Sequence, residues 1–396
     1  MSDHPEANIP LIDVYIGGHL VADEPKLANG RPKWNPFATQ SPDAPIRMPE
    51  ISGEGEYHSL AANVVVKTTK NTLLAFAEGR RNDLDDFGDI DIVVRRSSDF
   101  GRTWSDIQMV HKFGDGQIGN PTPIIDQETG RIYLLSCTSV EEELKILAGS
   151  SYREVWFSYS DDDGVTWSEE RNISSMARRE DWYWYATGPA VGIQIQSGKY
   201  QGRLVVPANH SYLEEDGTSV YACHSLYSDD KGETWKIGST SGPGGNETQI
   251  AEVADDLLMQ DIRLQTHLTG CRAYRYSRDG GETWDEMRTD ESRPCTKTQG
   301  SIISLSQRPD GVHNTLLVCN AAPIETRRAV NQREHLVVRM STDGGKTWPR
   351  SYVVEPASAG YNTLVEIDEH RIGVFYDRRP RTSFRTFYLE DLRPEG

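Results

Sequence analysis

A short acidic loop is the first stretch of the sequence with a capacity for chemistry. Its four aspartates are Asp83, Asp85, Asp86 and Asp89. Carboxylates held this close together repel one another, which favours the protonated form of at least one of them. A protonated carboxyl group can act as a general acid. The loop is therefore a candidate proton donor, and the alternative is a solvated acidic turn.

A run of four aromatic residues is the second candidate. It comprises Trp182, Tyr183, Trp184 and Tyr185. Because aromatic rings present broad apolar faces, such a run could form a wall against the C–H face of a sugar ring. The alternative is packing at the edge of a sheet.

The segments around the acidic loop have the alternating apolar pattern of β-strands. Residues 63–66 and 72–76 flank a Lys/Thr/Asn turn and predict a β-hairpin. Residues 90–94 predict a third strand directly after the loop. The loop is therefore expected to connect two strands of one sheet.

A turn motif that follows the third strand is repeated along the chain. The pattern Ser-x-Asp-x-Gly-x-Thr-Trp occurs five times, at residues 97–104, 160–167, 228–235, 277–284 and 341–348. Glycine permits a tight turn, the Asp, Ser and Thr side chains can bond turn amides, and the Trp can pack beneath the turn. Repeats at this spacing indicate a propeller or an array, and residues 50–390 at ~57 residues per unit give about six blades. We expect an all-β, six-bladed propeller at residues 50–396, with residues 1–49 as an arm packed on it.

The composition restricts the classes of partner. The net charge of −18 opposes binding to nucleic acid or to anionic membranes. Neither a secretory signal nor a transmembrane segment is recognisable, which predicts a cytoplasmic location without membrane insertion. The five widely spaced cysteines lack a CxxC pair and are expected to be buried thiols rather than metal ligands.

The repeated turns resemble the Asp boxes, or BNR repeats, of sialidases, whose catalytic domain is a six-bladed β-propeller. The resemblance runs from Glu56 to Tyr376 and includes the segments 119–135, 184–210 and 246–253. Asp boxes also occur in propellers that are not enzymes, so function must be argued from the site.

The resemblance implies a catalytic set of Tyr361 as nucleophile, Glu247 as its partner and Asp86 as acid/base, with Asp85 as the second choice for the last role. A neutral phenol assisted by Glu suits an anomeric carbon that bears a carboxylate, since an anionic nucleophile would be repelled. No metal or organic cofactor is implied.

The resemblance also implies three arginines that bind the substrate carboxylate. Arg263 and Arg333 match the second and third. Ala61 stands where the first would be, 25 residues before Asp86 (86 − 61). Asp377 stands where the family has the Glu that braces this first arginine. Arg379, on the same strand face as Asp377, is a hypothetical substitute.

Two further residues, Asn120 and His210, are weaker candidates for lining a substrate site. Asn120 and His210 lie at strand ends, whereas an odd offset from Ala61 places His58 on the other strand face, which favours a structural role. The expected function is removal of a terminal sialic acid or a related nonulosonic acid from a glycoconjugate or oligosaccharide. The alternatives are a hydrolase for another terminal sugar and a carbohydrate-binding propeller without turnover.

Overall fold

β-Strands make up most of the protein. The computed structural model describes residues 12–16, 57–114, 116–265, 270–305, 315–322, 333–378 and 381–395, with the backbone alone at 12–16 and 381. In chain order the strands are β1 (Ile12–Ile16), β2 (Ser59–Lys67), β3 (Leu73–Arg80), β4 (Ile90–Ser97), β5 (Gln108–His111), β6 (Gln117–Ile125), β7 (Ile132–Ser139), β8 (Glu154–Ser160), β9 (Arg171–Asn172), β10 (Tyr185–Ala186), β11 (Ile193–Gln194), β12 (Leu204–Leu213), β13 (Ser219–Ser228), β14 (Lys236–Ile237), β15 (Gly245–Ala254), β16 (Leu257–Leu264), β17 (Cys271–Ser277), β18 (Arg288–Pro294), β19 (Ser301–Ser304), β20 (Leu316–Ala321), β21 (Glu334–Ser341), β22 (Arg350–Ser358), β23 (Asn362–Glu366), β24 (Arg371–Arg378), β25 (Arg381–Tyr388) and β26 (Arg393–Pro394). The helices are α1 (Glu143–Leu147), α2 (Ser174–Ala177) and a 3₁₀ helix (Leu389–Asp391).

The strands form consecutive antiparallel sheets that follow the chain order. Strands β10–β14, β15–β18, β19–β22 with β26, and β23–β25 with β1 form four sheets. Strands β2–β9 form one larger sheet, in which a parallel pairing of Ile90 with Gln117 joins β4 to β6. The predicted hairpin is confirmed as β2–β3, and the predicted third strand is confirmed as β4, which pairs with β3.

All five repeated turns have the same hydrogen bonds. In the first, the Ser97 hydroxyl donates to Asp99 and accepts from the Gly101 amide, while the amide and hydroxyl of Thr103 both donate to Asp99. The corresponding bonds form in the other four turns. Each turn follows directly after a strand that ends at its serine, so the motif terminates a strand as the sequence indicates.

The glycine and tryptophan of these turns fasten neighbouring sheets together. Gly101 has a φ of +89°, and a Cβ there would lie 2.3 Å from the Phe384 ring. The ring of Trp104 meets Phe384 edge-on at a centroid distance of 5.5 Å. Phe384 belongs to the last sheet, so the first turn packs on the end of the chain. The sheets therefore close into a propeller-like ring, with β1 added at the edge of β25.

The interior contains aliphatic and aromatic side chains between the sheets. All five cysteines are buried free thiols, as predicted. Within the described ranges, none of the helices is long and apolar enough to span a membrane. The boundary at residue 49 remains a prediction, because most of residues 1–49 lie outside the described residues.

Candidate active site

Side chains from the starts of several inner strands meet at one end of the ring. Strand β23 contacts β2 and β19, and β19 also contacts β15. Within a sheet the first and third strands are both antiparallel to the second, so the repeated turns, which follow third strands, lie at the opposite end of the ring. The cluster around Tyr361 is therefore assembled from segments that are far apart in the sequence.

Tyr361, Glu247 and Arg263 form a hydrogen-bonded triad. The Tyr361 hydroxyl donates to one oxygen of Glu247, and the Arg263 guanidinium donates to the other. The same guanidinium donates to the Tyr361 oxygen at 3.0 Å. Glu247 and Arg263 are only 7% and 9% exposed, whereas Tyr361 is half-buried and so remains accessible. The structure thus brings three of the predicted residues together.

The electrostatic surroundings keep the Tyr361 phenol neutral. Burial raises the pKa of Tyr361, the Glu247 carboxylate raises it further, and Arg263 and Arg333 oppose this without reversing it. Burial lowers the pKa of Arg263, but the charges of Glu247 and Tyr361 outweigh it and leave the net pKa raised. A neutral phenol beside a carboxylate can act as a nucleophile only when the carboxylate takes its proton.

Arg333 and Asp377 flank Tyr361. The Arg333 guanidinium carbon lies 5.0 Å from the centroid of the Tyr361 ring. The Asp377 amide donates to the Tyr361 carbonyl at 2.9 Å, and the Gly360 amide donates to the Asp377 carbonyl at 3.2 Å. A Cβ on Gly360 would lie 2.6 Å from the Asp377 carboxylate and 3.1 Å from Arg333, so any larger residue there would force these side chains to shift. These contacts fix the backbone of the tyrosine.

Asp86 contacts a buried arginine that the sequence analysis missed. The Arg80 guanidinium lies 2.6 Å from Asp86 and 2.9 Å from Glu78, and it donates to the Leu84 carbonyl at 2.6 Å. Arg80 is buried, while the Asp86 side chain is 70% exposed. Asp85, by contrast, donates its backbone amide to Asp83 within the loop. The position of Arg80, at the end of β3 and immediately before the acidic loop, is the feature of the sequence that could have indicated this contact.

Ala61 lies on β2 directly opposite Glu78 on β3, and it is 2% exposed. The next residue, Ala62, has a φ of +54°, and the register shifts by a bulge between Ala61 and Val64. Glu78 accepts the Asn120 amide at 2.9 Å in addition to its pairing with Arg80. The carboxylate opposite Ala61 is therefore already used by neighbouring groups.

Residues 71–374 match the BNR repeat-like domain family. The chain belongs to this family.

Several proteins similar to this chain are sialidases, which confirms the resemblance. The chain is 28% identical over 354 residues to a sialidase of Micromonospora viridifaciens, covering 85% of this chain and 52% of the relative. It is 27% identical over 370 residues to a sialidase of Bacteroides fragilis, covering 85% and 64% respectively. The chain thus spans about half to two thirds of the length of these relatives. Among solved structures, the Hadza microbial sialidase Hz136 has a TM-score of 0.74 at 26% identity and covers 88% of this chain and 71% of its own.

The other residues predicted to line a substrate site lie either near the triad, at the same end of the ring, or inside the core. Asn120 is buried and accepts a hydrogen bond from Arg153 at 2.7 Å. The Arg153 guanidinium stacks on the half-buried Trp184, 4.5 Å from the ring centroid. Trp184 in turn donates to Asn209 at 3.2 Å. Trp184 is partly exposed, as the predicted aromatic wall requires.

Tyr185 is fully buried, and its hydroxyl lies 3.0 Å from Nε2 of His224. Its neighbour Trp182 stacks on His210 at a centroid distance of 3.6 Å. Trp182 and Tyr185 therefore lie in the core with His210 and His224, and not on an accessible aromatic wall. His58 is also buried, as its expected structural role requires. Arg379 lies outside the described residues.

The types of side chain in the cluster determine the chemistry that it can support. Among the residues that the structure describes, no group of three or more His, Cys, Asp or Glu could hold a metal ion. The site residues instead provide a phenol, carboxylates and guanidinium groups. This donor set suits proton transfer and the binding of an anion.

Proposed function

We propose that this protein is a retaining exo-α-sialidase-like glycoside hydrolase that removes a terminal sialic acid or a related nonulosonic acid. The observation that carries the proposal is the hydrogen-bonded triad of Tyr361, Glu247 and Arg263. A binding protein does not need a phenol kept neutral and joined to a buried carboxylate. The sialidase relatives support the same reaction class.

The first half of the proposed reaction forms a covalent intermediate. The Tyr361 oxygen attacks the anomeric carbon as Glu247 accepts the phenol proton, and the bond from the anomeric carbon to the leaving oxygen breaks. Asp86 gives its proton to that oxygen, so the aglycone leaves as a neutral alcohol. Arg263, which contacts both the phenol oxygen and Glu247, stabilises the negative charge that forms between them.

The second half reverses these roles. Asp86 takes a proton from water, and the resulting hydroxide attacks the anomeric carbon. The bond to Tyr361 breaks, and Glu247 returns the proton to the phenol oxygen. Two inversions at one carbon give net retention. Arg80 keeps Asp86 in place between the two steps through its contact at 2.6 Å.

Cationic and polar side chains in and beside the triad orient the substrate. Arg263 and Arg333 face the carboxylate of the sugar, because guanidinium groups bind carboxylates strongly and directionally. Trp184 is proposed to contact the sugar ring, and Asn120 and Asp377 to position the residues around it. Arg379 keeps its proposed role as a substitute for the arginine absent at position 61.

The proposed architecture is six blades. The large sheet of β2–β9 is counted as two blades, β2–β5 and β6–β9, because only one residue pair joins them. Each of the five repeated turns is assigned as an Asp box, and the blade of β23–β25 with β1 lacks one. This count matches the sequence interpretation.

An aryl sialoside assay tests the proposed function. Wild-type protein should release the aryl group, and proton NMR of the first sugar product should identify the α-anomer. The Tyr361→Phe variant should lose at least ~10³-fold in kcat, because the attacking oxygen is gone. Tyr200→Phe is the matched control, since Tyr200 packs on the turn glycine Gly280 at the opposite end of the ring. Equal activity of Tyr361→Phe and wild type would refute the proposal.

The alanine at position 61 supports a second candidate, a hydrolase for another terminal sugar. Fewer cations at the carboxylate end would suit a less acidic substrate. Turnover of uncharged aryl glycosides, with none of the aryl sialoside, would favour this alternative. Binding of either sugar without turnover would instead favour a carbohydrate-binding propeller.

A further inference from the structure

Lys297 lies just before the innermost strand of its sheet, as Tyr361 does in another sheet, and Glu247 lies near the start of the innermost strand of a third. Glu247 lies at the start of β15, and Tyr361 directly precedes β23. Lys297 lies in the connection between β18 and β19, four residues before β19 begins. Since β19 contacts both β15 and β23, the loop that carries Lys297 reaches the same end of the ring between the other two.

Hydrogen bonds hold the loop of Lys297 between the strands of the triad. The Gln299 side chain accepts the amide of Asn362, the residue after Tyr361, at 2.9 Å. On the other side, Arg272 donates to the Thr298 carbonyl at 3.0 Å and is paired with Asp261. Asp261 lies two residues before Arg263 on β16. The backbone on which Lys297 is carried is therefore fixed relative to both Tyr361 and Arg263.

The charges around Lys297 are mostly positive. Burial lowers the pKa of Lys297, Arg263 and Arg333 lower it further, and Glu143 partly offsets them. The Glu143 carboxylate accepts a hydrogen bond from the buried Tyr221 hydroxyl. Lys297 itself forms no ion pair with any described residue. The half-buried Lys297 is therefore close enough to Arg263 and Arg333 for their charges to act on it.

We propose that Lys297 supplies a third positive charge for the carboxylate of the acidic sugar, in a site where position 61 is alanine. The inference rests on the proposed function and names a specificity residue for it. Arg263 already shares its charge with Glu247, whereas Arg333 and Lys297 form no ion pair with any described residue and so add unpaired positive charge beside it. A bound carboxylate removes their mutual repulsion and gains a charge-assisted hydrogen bond from the ammonium group.

Steady-state kinetics on an aryl sialoside test this role. Lys297→Met keeps the length of the side chain and removes its charge. KM should rise about 10- to 100-fold with kcat changed less than about threefold, because the lost contact serves the bound ground state and the transition state alike. Lys297→Arg should restore most of the affinity. The exposed Lys199, in a loop next to the turn of Gly280, provides the matched control Lys199→Met, which should leave KM unchanged.

Calorimetric titration with free N-acetylneuraminic acid separates this inference from the proposed reaction. If the wild type binds this acid but does not cleave the aryl sialoside, the proposed reaction is wrong, and the role of Lys297 can still be judged by binding. Weaker binding to Lys297→Met, restored in Lys297→Arg, supports the inference. Equal binding or equal KM for Lys297→Met and wild type, with unchanged Tm, overturns it. A wild type that neither binds nor cleaves the sialoside overturns both proposals.

Discussion

The hydroxyl of Tyr361 donates a hydrogen bond to the carboxylate of Glu247, 114 residues earlier in the chain. Arg263 contacts both groups, so the phenol, its base and a cation form one unit. Because the phenol is neutral and its pKa is raised by burial, the pair depends on Glu247 for activation. This dependence leads to a direct test.

Replacing Glu247 with Gln should abolish most of the activity. Glutamine has nearly the same shape but cannot accept the phenol proton, so kcat should fall about 10²- to 10⁴-fold. Glu252→Gln is the control, because Glu252 lies on the same strand and its carboxylate accepts hydrogen bonds from Gln196 and Ser197. Stopped-assay kinetics of both variants on an aryl sialoside provide the measurement. Similar losses in the two variants would show that Glu247 is not the base.

Asp86 and Asp85 can be distinguished by the leaving group. Asp86→Asn should slow hydrolysis of an alkyl sialoside by about 10²- to 10⁴-fold, because an alkoxide needs a proton to depart. A nitrophenyl sialoside should lose much less, since nitrophenolate leaves without one. Asp85→Asn should change neither rate by more than about twofold, because Asp85 lacks the Arg80 contact seen at Asp86. A larger effect at Asp85 would reverse the assignment.

Local features of the chain could be predicted from the sequence. The repeated turns depend on residues within eight positions of one another, and glycine, Asp and Thr each meet a need of the turn itself. The β2–β3 hairpin likewise follows from alternation and a turn between its strands. The motif also predicts that Trp104 packs beneath its turn, but it does not predict that the partner there is Phe384, near the end of the chain. Turns and hairpins of this kind can be predicted because they depend on residues that are close together in the sequence.

The contacts that complete the site come from distant segments. Arg80 is the last residue of β3, and it contacts Asp86 only because the acidic loop folds back onto it. Tyr185 lies beside the half-buried Trp184 in the sequence, yet it packs in the core with its hydroxyl against His224. Lys297 acquires its neighbours only when the ring closes. Such relationships depend on how sheets pack, and no periodicity in the sequence encodes them.

Introducing an arginine at Ala61 should strengthen binding of an acidic sugar. A charged hydrogen bond contributes about 1.5–3 kcal/mol, so KM for an aryl sialoside should fall at least about tenfold. When Ala61→Arg is added to the Lys297→Met variant, it should recover part of the affinity for the aryl sialoside that Lys297→Met loses. Ala61→Gln is the uncharged control of comparable reach. Thermal unfolding of each variant is measured in parallel, because Ala61 is buried opposite a Glu78 that already has partners. A folded Ala61→Arg variant with unchanged KM would separate this position from carboxylate binding.

The buried pair of His210 and His224 should make the protein less stable in acid. Their Nδ1 atoms lie 3.0 Å apart, and His210 stacks on Trp182. Burial, with smaller contributions from Arg179 and Arg275, lowers the pKa of His210 to about 3. The unfolded chain therefore binds this proton more readily than the folded protein. The stability that His210 provides is complete above about pH 6.5 and is lost as pH falls towards about 3.

Urea unfolding at pH 7.5 and pH 5 measures this effect. His210 should account for about 2 kcal/mol of the decrease in unfolding free energy between the two values. In His210→Phe the ring can still stack on Trp182 but cannot bind a proton, so the decrease should be smaller by that amount. His370→Asn, at an exposed position, should retain the wild-type decrease. If His210→Phe also retained it, His210 would have to be protonated in the folded protein, and the buried neutral pair would be the wrong description.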